Sequence, residues 1–195
     1  MSICPPSRPK ASLATVMDYA KKAWADAGRQ LPLPGCFVLA VRGYYRDTMG
    51  KPLTNDYGIY DDAIFLFTPF GFTAWNGNTD PSRIGWNPNA DKFMARLQPG
   101  VWQMVRRMHR GKYPAFGQEG NPVTVDRVKA DGTVAKSETG LFGIDLHKGG
   151  AGTSSEGCQT VPLEQWTDFF DQLASGLKAT AQKSFPYILI EGPIN

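Results

Sequence analysis

The chain has 195 residues and a formal net charge of +3, with lysines and arginines interspersed among acidic residues. A charge this small and this evenly spread argues against a nucleic-acid ligand. No apolar run has the length of a signal peptide or of a membrane-spanning helix, so we expect a soluble protein without membrane insertion. The length suits one domain over residues 1–195 with a sizeable core, and we expect a monomer whose cellular location stays open.

The first predicted element is a helix over about 12–28, packed on the rest of the domain. Its apolar residues recur at helical spacing, Ser12 is a suitable N-cap, and Gly28 closes the pattern. Short apolar and aromatic runs bounded by turn-forming residues follow, and they predict strands at 36–45, 63–70 and 72–76.

The second half of the chain continues with strands and one helix. The apolar residues in 101–108 fit both the spacing of a helix and that of a strand, but their alternation favours a strand. Residues 122–137 are typical of a hairpin that turns at Asp131 and the following glycine. A helix is predicted over about 163–178 and a final strand over 186–191. This order of elements predicts an α+β fold that is mostly β.

The stretch LFGIDLHKGGAGTSSEGCQTVP, residues 141–162, places His147 eleven positions before Cys158. In a strand that ends at His147, alternation directs Asp145 and His147 to the open face and the apolar residues to the core. The glycines that follow predict a sharply bent loop that returns the chain to the cysteine. We therefore expect the Cys158 thiol to contact the His147 imidazole.

A thiol beside an imidazole can act as a nucleophile. A free thiol has a pKa of about 8.5, and a neighbouring imidazole lowers it by pairing with the thiolate. The thiolate could attack a carbonyl, and the backbone N–H groups of Glu156, Gly157 and Cys158 could stabilise the resulting oxyanion. Gly157 would leave room for this approach. The alternative is a partly buried histidine and a small core cysteine beside a flexible loop.

The residues from 141 to 170 resemble the catalytic segment of the L,D-transpeptidase family, the YkuD-like cysteine enzymes of bacterial cell walls. Family members carry a strand that ends in a histidine, then glycines and a Ser/Thr-His-Gly-Cys motif, which His147 and residues 155–158 match here. Glu156 replaces the second histidine, so the chain resembles a divergent branch common in phage and phage-like genes. The resemblance implies a sandwich-like domain with Cys158 in a groove.

The resemblance also implies a substrate and a reaction. The thiolate would attack the carbonyl of an L-centre before a D-residue in a peptidoglycan stem peptide and form a thioester. An amine then resolves the thioester into a cross-link, which makes the enzyme a transferase, whereas water makes it a hydrolase. The missing signal peptide and the phage-like character favour hydrolysis, by an enzyme that another system delivers to the wall. Two alternatives stay open: a silent relative that binds cell wall, and a cysteine hydrolase acting on a different amide.

Polar residues around the motif are candidates for supporting roles. Ser154 and Ser155 could hydrogen-bond near the thiolate or merely stabilise the turn, and Ser155 has the stronger case because it occupies a motif position. Asp145 shares the open face of the strand and could orient the His147 imidazole. An acid at such a position is also often solvated or paired within a hairpin.

Basic residues precede the hairpin in the stretch VRRMHRGK, residues 105–112. We interpret His109 as a surface histidine. The alternative is that His109 approaches the groove and takes the place of the histidine that Glu156 replaces. Arg107 could hold a substrate carboxylate, but on an alternating strand it faces away from Arg106.

Glu156 is the clearest departure from the family motif. A carboxylate aimed at the thiolate would raise the thiol pKa, so the side chain must point away. We expect it at the rim of the groove, paired with a base of the 106–112 cluster or receiving an ammonium group of the substrate. A solvated loop glutamate is the alternative.

No metal and no organic cofactor is expected. Two distant histidines and three scattered cysteines, Cys4, Cys36 and Cys158, do not suggest the three or four convergent ligands that zinc prefers. The odd number of cysteines leaves at least one thiol outside any disulfide. Cys158 should be the most reactive of the three, because the other two have no histidine nearby in the sequence.

Overall fold

A computed structural model describes residues 3–28, 35–83, 85–87, 92–150 and 152–194. These residues form the helices α1 (Leu13–Asp26) and α2 (Leu163–Ala179), and the strands β1 (Phe37–Arg42), β2 (Asp62–Thr68), β3 (Gly71–Gly77), β4 (Trp86–Asn87), β5 (Lys92–Leu97), β6 (Gly100–His109), β7 (Tyr113–Gly117), β8 (Val123–Val128), β9 (Val134–Gly140), β10 (Asp145–Lys148), β11 (Gln159–Val161) and β12 (Ser184–Glu191). Strand residues far outnumber helical ones, so the predicted α+β class with mostly β content is confirmed.

The strands form two sheets. The larger sheet has eight strands in the order β11-β10-β7-β6-β12-β1-β2-β3, and the smaller has four in the order β4-β5-β8-β9. Most neighbours are antiparallel, but β1 pairs with β12 and β10 pairs with β11 in parallel. The second parallel pair positions the candidate site, because β10 carries His147 and Cys158 directly precedes β11.

Two core clusters lie on opposite faces of the large sheet. Along β1, Phe37 and Leu39 join one cluster and Val38 joins the other, as alternation along a strand requires. The first cluster is completed by the apolar stripe of α1. The second holds α2 and apolar residues of β5 and β8, so the two sheets pack over a shared core in a sandwich.

Both predicted helices are confirmed. The Ser12 Oγ accepts a hydrogen bond from the Thr15 N–H at 3.1 Å, which satisfies one of the donors at the start of α1. The buried face of α2 includes Trp166 and Phe169, which pack in the second core cluster. Within the described ranges, neither helix combines the length and the apolar character needed to cross a membrane.

The predicted strands are confirmed with small shifts at their ends. The ambiguous segment is β6, which runs for ten residues, and the predicted hairpin consists of β8 and β9. At its turn the Asp131 carboxylate accepts the Thr133 N–H at 2.9 Å. The strand expected to end at His147 is shorter than predicted, since it begins only at Asp145.

Candidate active site

The candidate site lies on four consecutive strands at one edge of the large sheet, β11, β10, β7 and β6. β10 carries Asp145 and His147, β6 ends at His109, and Cys158 is the residue before β11. The register pairs His147 with Thr160 of β11, which draws the start of that strand alongside β10. Alternation in the sequence predicts the shared face of Asp145 and His147, and the order of strands adds His109.

The Cys158 thiol lies close to both imidazoles. One nitrogen of His109, one nitrogen of His147 and Sγ of Cys158 lie within 4.8 Å of one another. The Asp145 N–H donates to Sγ at 3.4 Å, and the thiol can donate to the Gly143 carbonyl oxygen, 3.6 Å away. The expected proximity of the Cys158 thiol and the His147 imidazole is thus confirmed.

A backbone carbonyl fixes the tautomer of His147. Its Nδ1 lies 2.7 Å from the Lys148 carbonyl oxygen and 3.2 Å from the Tyr113 hydroxyl. Because the carbonyl can only accept, Nδ1 carries the proton and Nε2 keeps its lone pair. Nε2 is therefore the nitrogen that can take a proton from the thiol.

His109 is buried, which contradicts its interpretation as a surface histidine. Only 7% of the residue is exposed, and its ring stacks on that of His147 with the centroids 4.1 Å apart. Its Nδ1 lies 2.7 Å from Oδ2 of Asp145, so this nitrogen donates and Nε2 is left as an acceptor. The alternative interpretation, an approach to the groove, is the correct one.

Asp145 hydrogen-bonds to His109, so it neither orients the His147 imidazole nor lies in solvent, two of the possibilities that the sequence left open. Besides the bond to His109, its Oδ1 lies 3.5 Å from Nε of Arg107. Burial raises the pKa of this carboxyl, while the hydrogen bond from His109 and the charge of Arg107 act in the opposite direction. Gly117 makes room for the carboxylate, because a Cβ there would collide with Oδ1.

Burial keeps the thiol and the imidazole neutral at rest. It raises the pKa of Cys158 to about 12, and the charge of Asp145 acts in the same direction. It lowers the pKa of His147 to about 4, and the neighbouring His109 imidazole adds to that shift. The expected lowering of the thiol pKa is not met in the resting site, because burial raises this pKa more than the hydrogen bond from the Asp145 N–H lowers it.

Hydrogen bonds among the described residues of the loop between β10 and β11 hold the chain bent ahead of Cys158. The Ser155 Oγ donates to the Cys158 carbonyl oxygen and accepts the Gly157 N–H at 2.9 Å. The Ser155 hydroxyl thus contacts backbone and not the thiol, which favours its interpretation as a residue that stabilises the turn. The Gly157 N–H is already bonded to the Ser155 Oγ, so its expected use as an oxyanion donor is wrong for this arrangement.

Two residues outside the predicted site anchor the same loop. The Ser155 N–H donates to Ser82 Oγ at 2.6 Å, and the Tyr60 hydroxyl donates to the Gly152 carbonyl oxygen at 3.1 Å. Ser154, at φ 55°, also bonds within the loop, since its Oγ donates to the Gly152 carbonyl at 3.4 Å. Nothing in the sequence distinguishes Ser82 or Tyr60 from other turn and core residues, so only the fold identifies these anchors.

Gly157 is required by its surroundings. Its φ is 152°, and a Cβ at this position would lie 2.6 Å from the Ala95 carbonyl oxygen of β5. Glycine accepts both the conformation and the close approach. The glycine is thus needed for the approach of a neighbouring strand, and the expected role, leaving room for the oxyanion beside Cys158, stays a prediction.

Glu156 points to the rim of the site and pairs with a base, as expected. Its Oε2 lies 3.7 Å from Nη2 of Arg110, and the exposed fractions of the two side chains are 47% and 66%. An ion pair this exposed contributes little to stability. Both charges are therefore open to a ligand.

The thiol opens into a cavity of about 400 Å³. Its walls include Arg107, Arg110 and Arg127, and Phe142 supplies an apolar surface. Arg107 and Arg127 are paired with partly buried or buried acids, whereas the Arg110 side chain is two-thirds exposed. Arg106 lies on the opposite face of β6, over an aromatic ring of α2, as alternation predicts. Arg110 is therefore better placed than Arg107 to hold a substrate carboxylate.

The convergence of His109, His147 and Cys158 contradicts the spacing argument against metal ligands. The two histidines are distant in sequence, but only β7 separates β6 from β10 in the sheet. Cys36 is buried and Cys4 accepts a hydrogen bond from the Asn76 side chain, and none of the three described cysteines is in a disulfide. Two imidazoles and a thiol are ligands of the kind that zinc prefers.

Comparisons with protein-family models, with curated proteins and with solved structures find no match for this chain. The resemblance of residues 141–170 to L,D-transpeptidases therefore stays a prediction from the motif. A function must rest on the geometry of the site.

Proposed function

We propose that the protein is a cysteine-dependent acyl-transfer enzyme of the L,D-transpeptidase type that acts on peptidoglycan stem peptides, with hydrolysis favoured over cross-linking. One observation carries the proposal: the Lys148 carbonyl holds Nδ1 of His147 while a nitrogen of the same ring lies within 4.8 Å of Cys158 Sγ. A base fixed in this tautomer beside a thiol, at the wall of a cavity, is what nucleophilic catalysis requires. The same two residues carry the motif by which the chain resembles the family.

In the first half-reaction the thiol attacks a peptide carbonyl. Because both groups are neutral at rest, the proton moves from Sγ of Cys158 to Nε2 of His147 as the S–C bond forms. The carbonyl oxygen takes the negative charge as the tetrahedral intermediate forms. The intermediate collapses when His147 gives its proton to the departing amine, the C–N bond breaks, and a thioester remains on Cys158.

In the second half-reaction a water molecule or an amine attacks the thioester. His147 accepts a proton from the attacking group and returns it to the sulfur as the C–S bond breaks, so the resting thiol is regenerated. Water yields a carboxylic acid, and an amine yields a new amide. Three partly exposed charged side chains line the cavity and favour the presence of water there, which supports hydrolysis as the favoured outcome; they are Arg107, Arg110 and Glu156.

The rim of the cavity suits a substrate that carries both signs of charge. Arg110 and Glu156 place a guanidinium and a carboxylate 3.7 Å apart, both largely exposed. Diaminopimelate in a stem peptide presents an ammonium and a carboxylate on the distal carbon of its side chain, and each could replace one partner of this pair. The match supports a diamino stem peptide over an uncharged amide.

Digestion of defined muropeptides tests the proposal. The protein is incubated with stem tetrapeptides that end in a D-residue, and the products are read by mass. We expect release of the terminal D-residue with the gain of one water, and a transient acyl adduct on the peptide that contains Cys158. Cys158→Ala should be inactive, and Cys4→Ser, which alters another thiol, should keep its activity.

Three outcomes would contradict the proposal. Intact muropeptides together with cleavage of an unrelated amide would indicate a different cysteine hydrolase. Binding of peptidoglycan without any product would indicate a silent wall-binding protein. Turnover that survives in Cys158→Ala would exclude the thiol as the nucleophile.

A further inference from the structure

We propose that His109, His147 and Cys158 form a binding site for a divalent ion of the zinc class, and that the bound ion withdraws the thiol from acyl transfer. Zinc takes imidazole and thiolate ligands in tetrahedral sites, and sites with three protein ligands leave the fourth position to water. Such binding is independent of the proposed acyl transfer, because it can be measured without a substrate.

The three ligand atoms already converge. One nitrogen of each imidazole and Sγ of the cysteine lie within 4.8 Å of one another. Bond lengths of about 2.1 Å to nitrogen and about 2.3 Å to sulfur place neighbouring ligands of a tetrahedral zinc roughly 3.5 Å apart. Side-chain movements of about 1 Å, with rotation of one imidazole out of its stack on the other, therefore close the set around an ion. The adjoining cavity leaves room for a water molecule at the fourth position.

Hydrogen bonds orient both imidazoles as metal ligands. Nδ1 of His109 bonds to the Asp145 carboxylate at 2.7 Å, and Nδ1 of His147 bonds to the Lys148 carbonyl oxygen at 2.7 Å. Histidines that bind metals almost always donate their other N–H to a carboxylate or a backbone carbonyl, which directs Nε2 toward the ion. A nucleophilic thiol needs only one oriented imidazole. The buried pair of His109 with Asp145 is the part of the site that acyl transfer leaves unexplained.

The surroundings of Cys158 also suit a bound thiolate. The Asp145 N–H donates to Sγ at 3.4 Å, and a backbone donor of this kind stabilises negative charge on sulfur. On binding, the thiol proton passes to the solvent, Sγ and two ring nitrogens each donate a lone pair to the ion, and water molecules leave its shell. No oxidation state changes. The sulfur is then coordinated to the ion, so it cannot attack a carbonyl.

Substitution with cobalt(II) gives a direct test. A thiolate ligand produces a sulfur-to-cobalt charge-transfer absorption, and a tetrahedral site produces intense visible bands. The full-length protein with reduced thiols is titrated with Co²⁺ and then with Zn²⁺. We expect saturation at one Co²⁺ per chain, both absorption features, and displacement of the cobalt by one equivalent of Zn²⁺.

Four variants separate this site from the other thiols. Cys158→Ser should lose the charge-transfer absorption, and His109→Gln should lose the tetrahedral visible bands. Cys4→Ser, the matched thiol control, should keep both features. Asp145→Asn should weaken Zn²⁺ binding about 10–100-fold, because it removes the charged acceptor of the His109 N–H. Circular dichroism checks that each variant is folded.

Protection of the thiol supplies a second measurement that needs no substitution. Zn²⁺ at about ten times its Kd should slow the alkylation of Cys158 by iodoacetamide about tenfold and leave Cys4 unaffected, and a chelator should reverse the effect. Zn²⁺ should also inhibit muropeptide turnover. Absence of the charge-transfer absorption at saturating Co²⁺, or its persistence in Cys158→Ser, would overturn the site. Turnover that rises with Zn²⁺ would overturn the blocking role.

Discussion

The imidazole rings of His109 and His147 stack with their centroids 4.1 Å apart and their planes inclined by 25°. Each ring has its own acceptor at Nδ1, a carboxylate for His109 and a backbone carbonyl for His147. Burial lowers the pKa of His147, and the adjacent imidazole acts in the same direction because a proton on one ring disfavours a proton on the other. His147 is therefore an unprotonated base throughout the neutral pH range.

Removal of the base should cost more activity than removal of its stacked neighbour. His147→Gln should lower kcat/KM for muropeptide cleavage about 10²–10⁴-fold, since the Cys158 proton loses its acceptor. His109→Gln leaves that acceptor in place and should have a smaller effect. Initial rates at several substrate concentrations, with circular dichroism of each variant, provide the measurement. A larger loss in His109→Gln would contradict the assignment of His147 as the base.

The pH profile should reflect a neutral thiol and a neutral imidazole. The pKa of His147 is about 4 and that of Cys158 is about 12, so neither group changes its charge between these values. We expect kcat/KM to be nearly flat through neutral pH and to fall when acid protonates His147 near pH 4. Alkylation of Cys158 should keep accelerating past the ordinary thiol pKa of about 8.5. A plateau of the alkylation rate at neutral pH would instead reveal a thiolate paired with an imidazolium.

The charge of Glu156 should matter for substrates that carry an amine. Glu156→Gln keeps the size of the side chain and should raise KM about two- to fivefold for stem peptides with a free amine, as expected for an exposed ion pair. KM for amine-blocked peptides should not change. Glu119→Gln removes an exposed carboxylate outside the cavity and serves as the matched control. An equal change of KM with both substrates would assign Glu156 to the loop surface.

Local sequence predicts one half of the candidate site and not the other. A strand and a short glycine-rich loop connect His147 to Cys158, so alternation and glycine content suffice to bring them together. His109 joins them only through strand order, because β6 and β10 are separated by β7, and Pro114 obscures the pattern of that strand. Patterns within a segment do not specify which distant strands become neighbours. Desolvation is equally non-local, which is why the pKa of Cys158 departs from the expected direction.

Gly157 should tolerate no side chain. Gly157→Ala places a Cβ 2.6 Å from the Ala95 carbonyl oxygen at a φ of 152°. We expect a loss of about 1–3 kcal/mol in the free energy of unfolding and lower activity, because the strained loop displaces Cys158. Gly152→Ala is the matched control within the loop, since its Cβ would meet nothing within 4 Å. Urea unfolding of both variants gives the comparison, and equal stabilities would contradict the steric explanation.

A buried acidic cluster should make the stability of the fold depend on pH. Asp61, Asp62 and Asp80 are fully buried, with the buried Arg42 guanidinium 3.3 Å from Asp80. Burial raises the pKa of Asp61 to about 7, and the charge of Asp80 adds to the shift. The unfolded chain has a value of about 3.9, so the folded state binds this proton more tightly. The resulting stabilisation is present in acid and is lost as the pH rises through about 7.

Asp61→Asn removes this titration while keeping an oxygen that can accept the Asp56 N–H, which bonds to Asp61 Oδ2 at 3.0 Å. The free energy of unfolding of the wild type should fall between about pH 5 and about pH 8, by on the order of 1 kcal/mol or more, and the fall should be smaller in Asp61→Asn. Asp18→Asn, which alters an exposed carboxylate of α1, should leave the slope unchanged. Urea unfolding across this pH range measures all three proteins. Only a group whose pKa differs between the folded and unfolded chains can make stability depend on pH. A slope in Asp61→Asn as steep as that of the wild type would therefore assign the titrating proton to another member of the cluster.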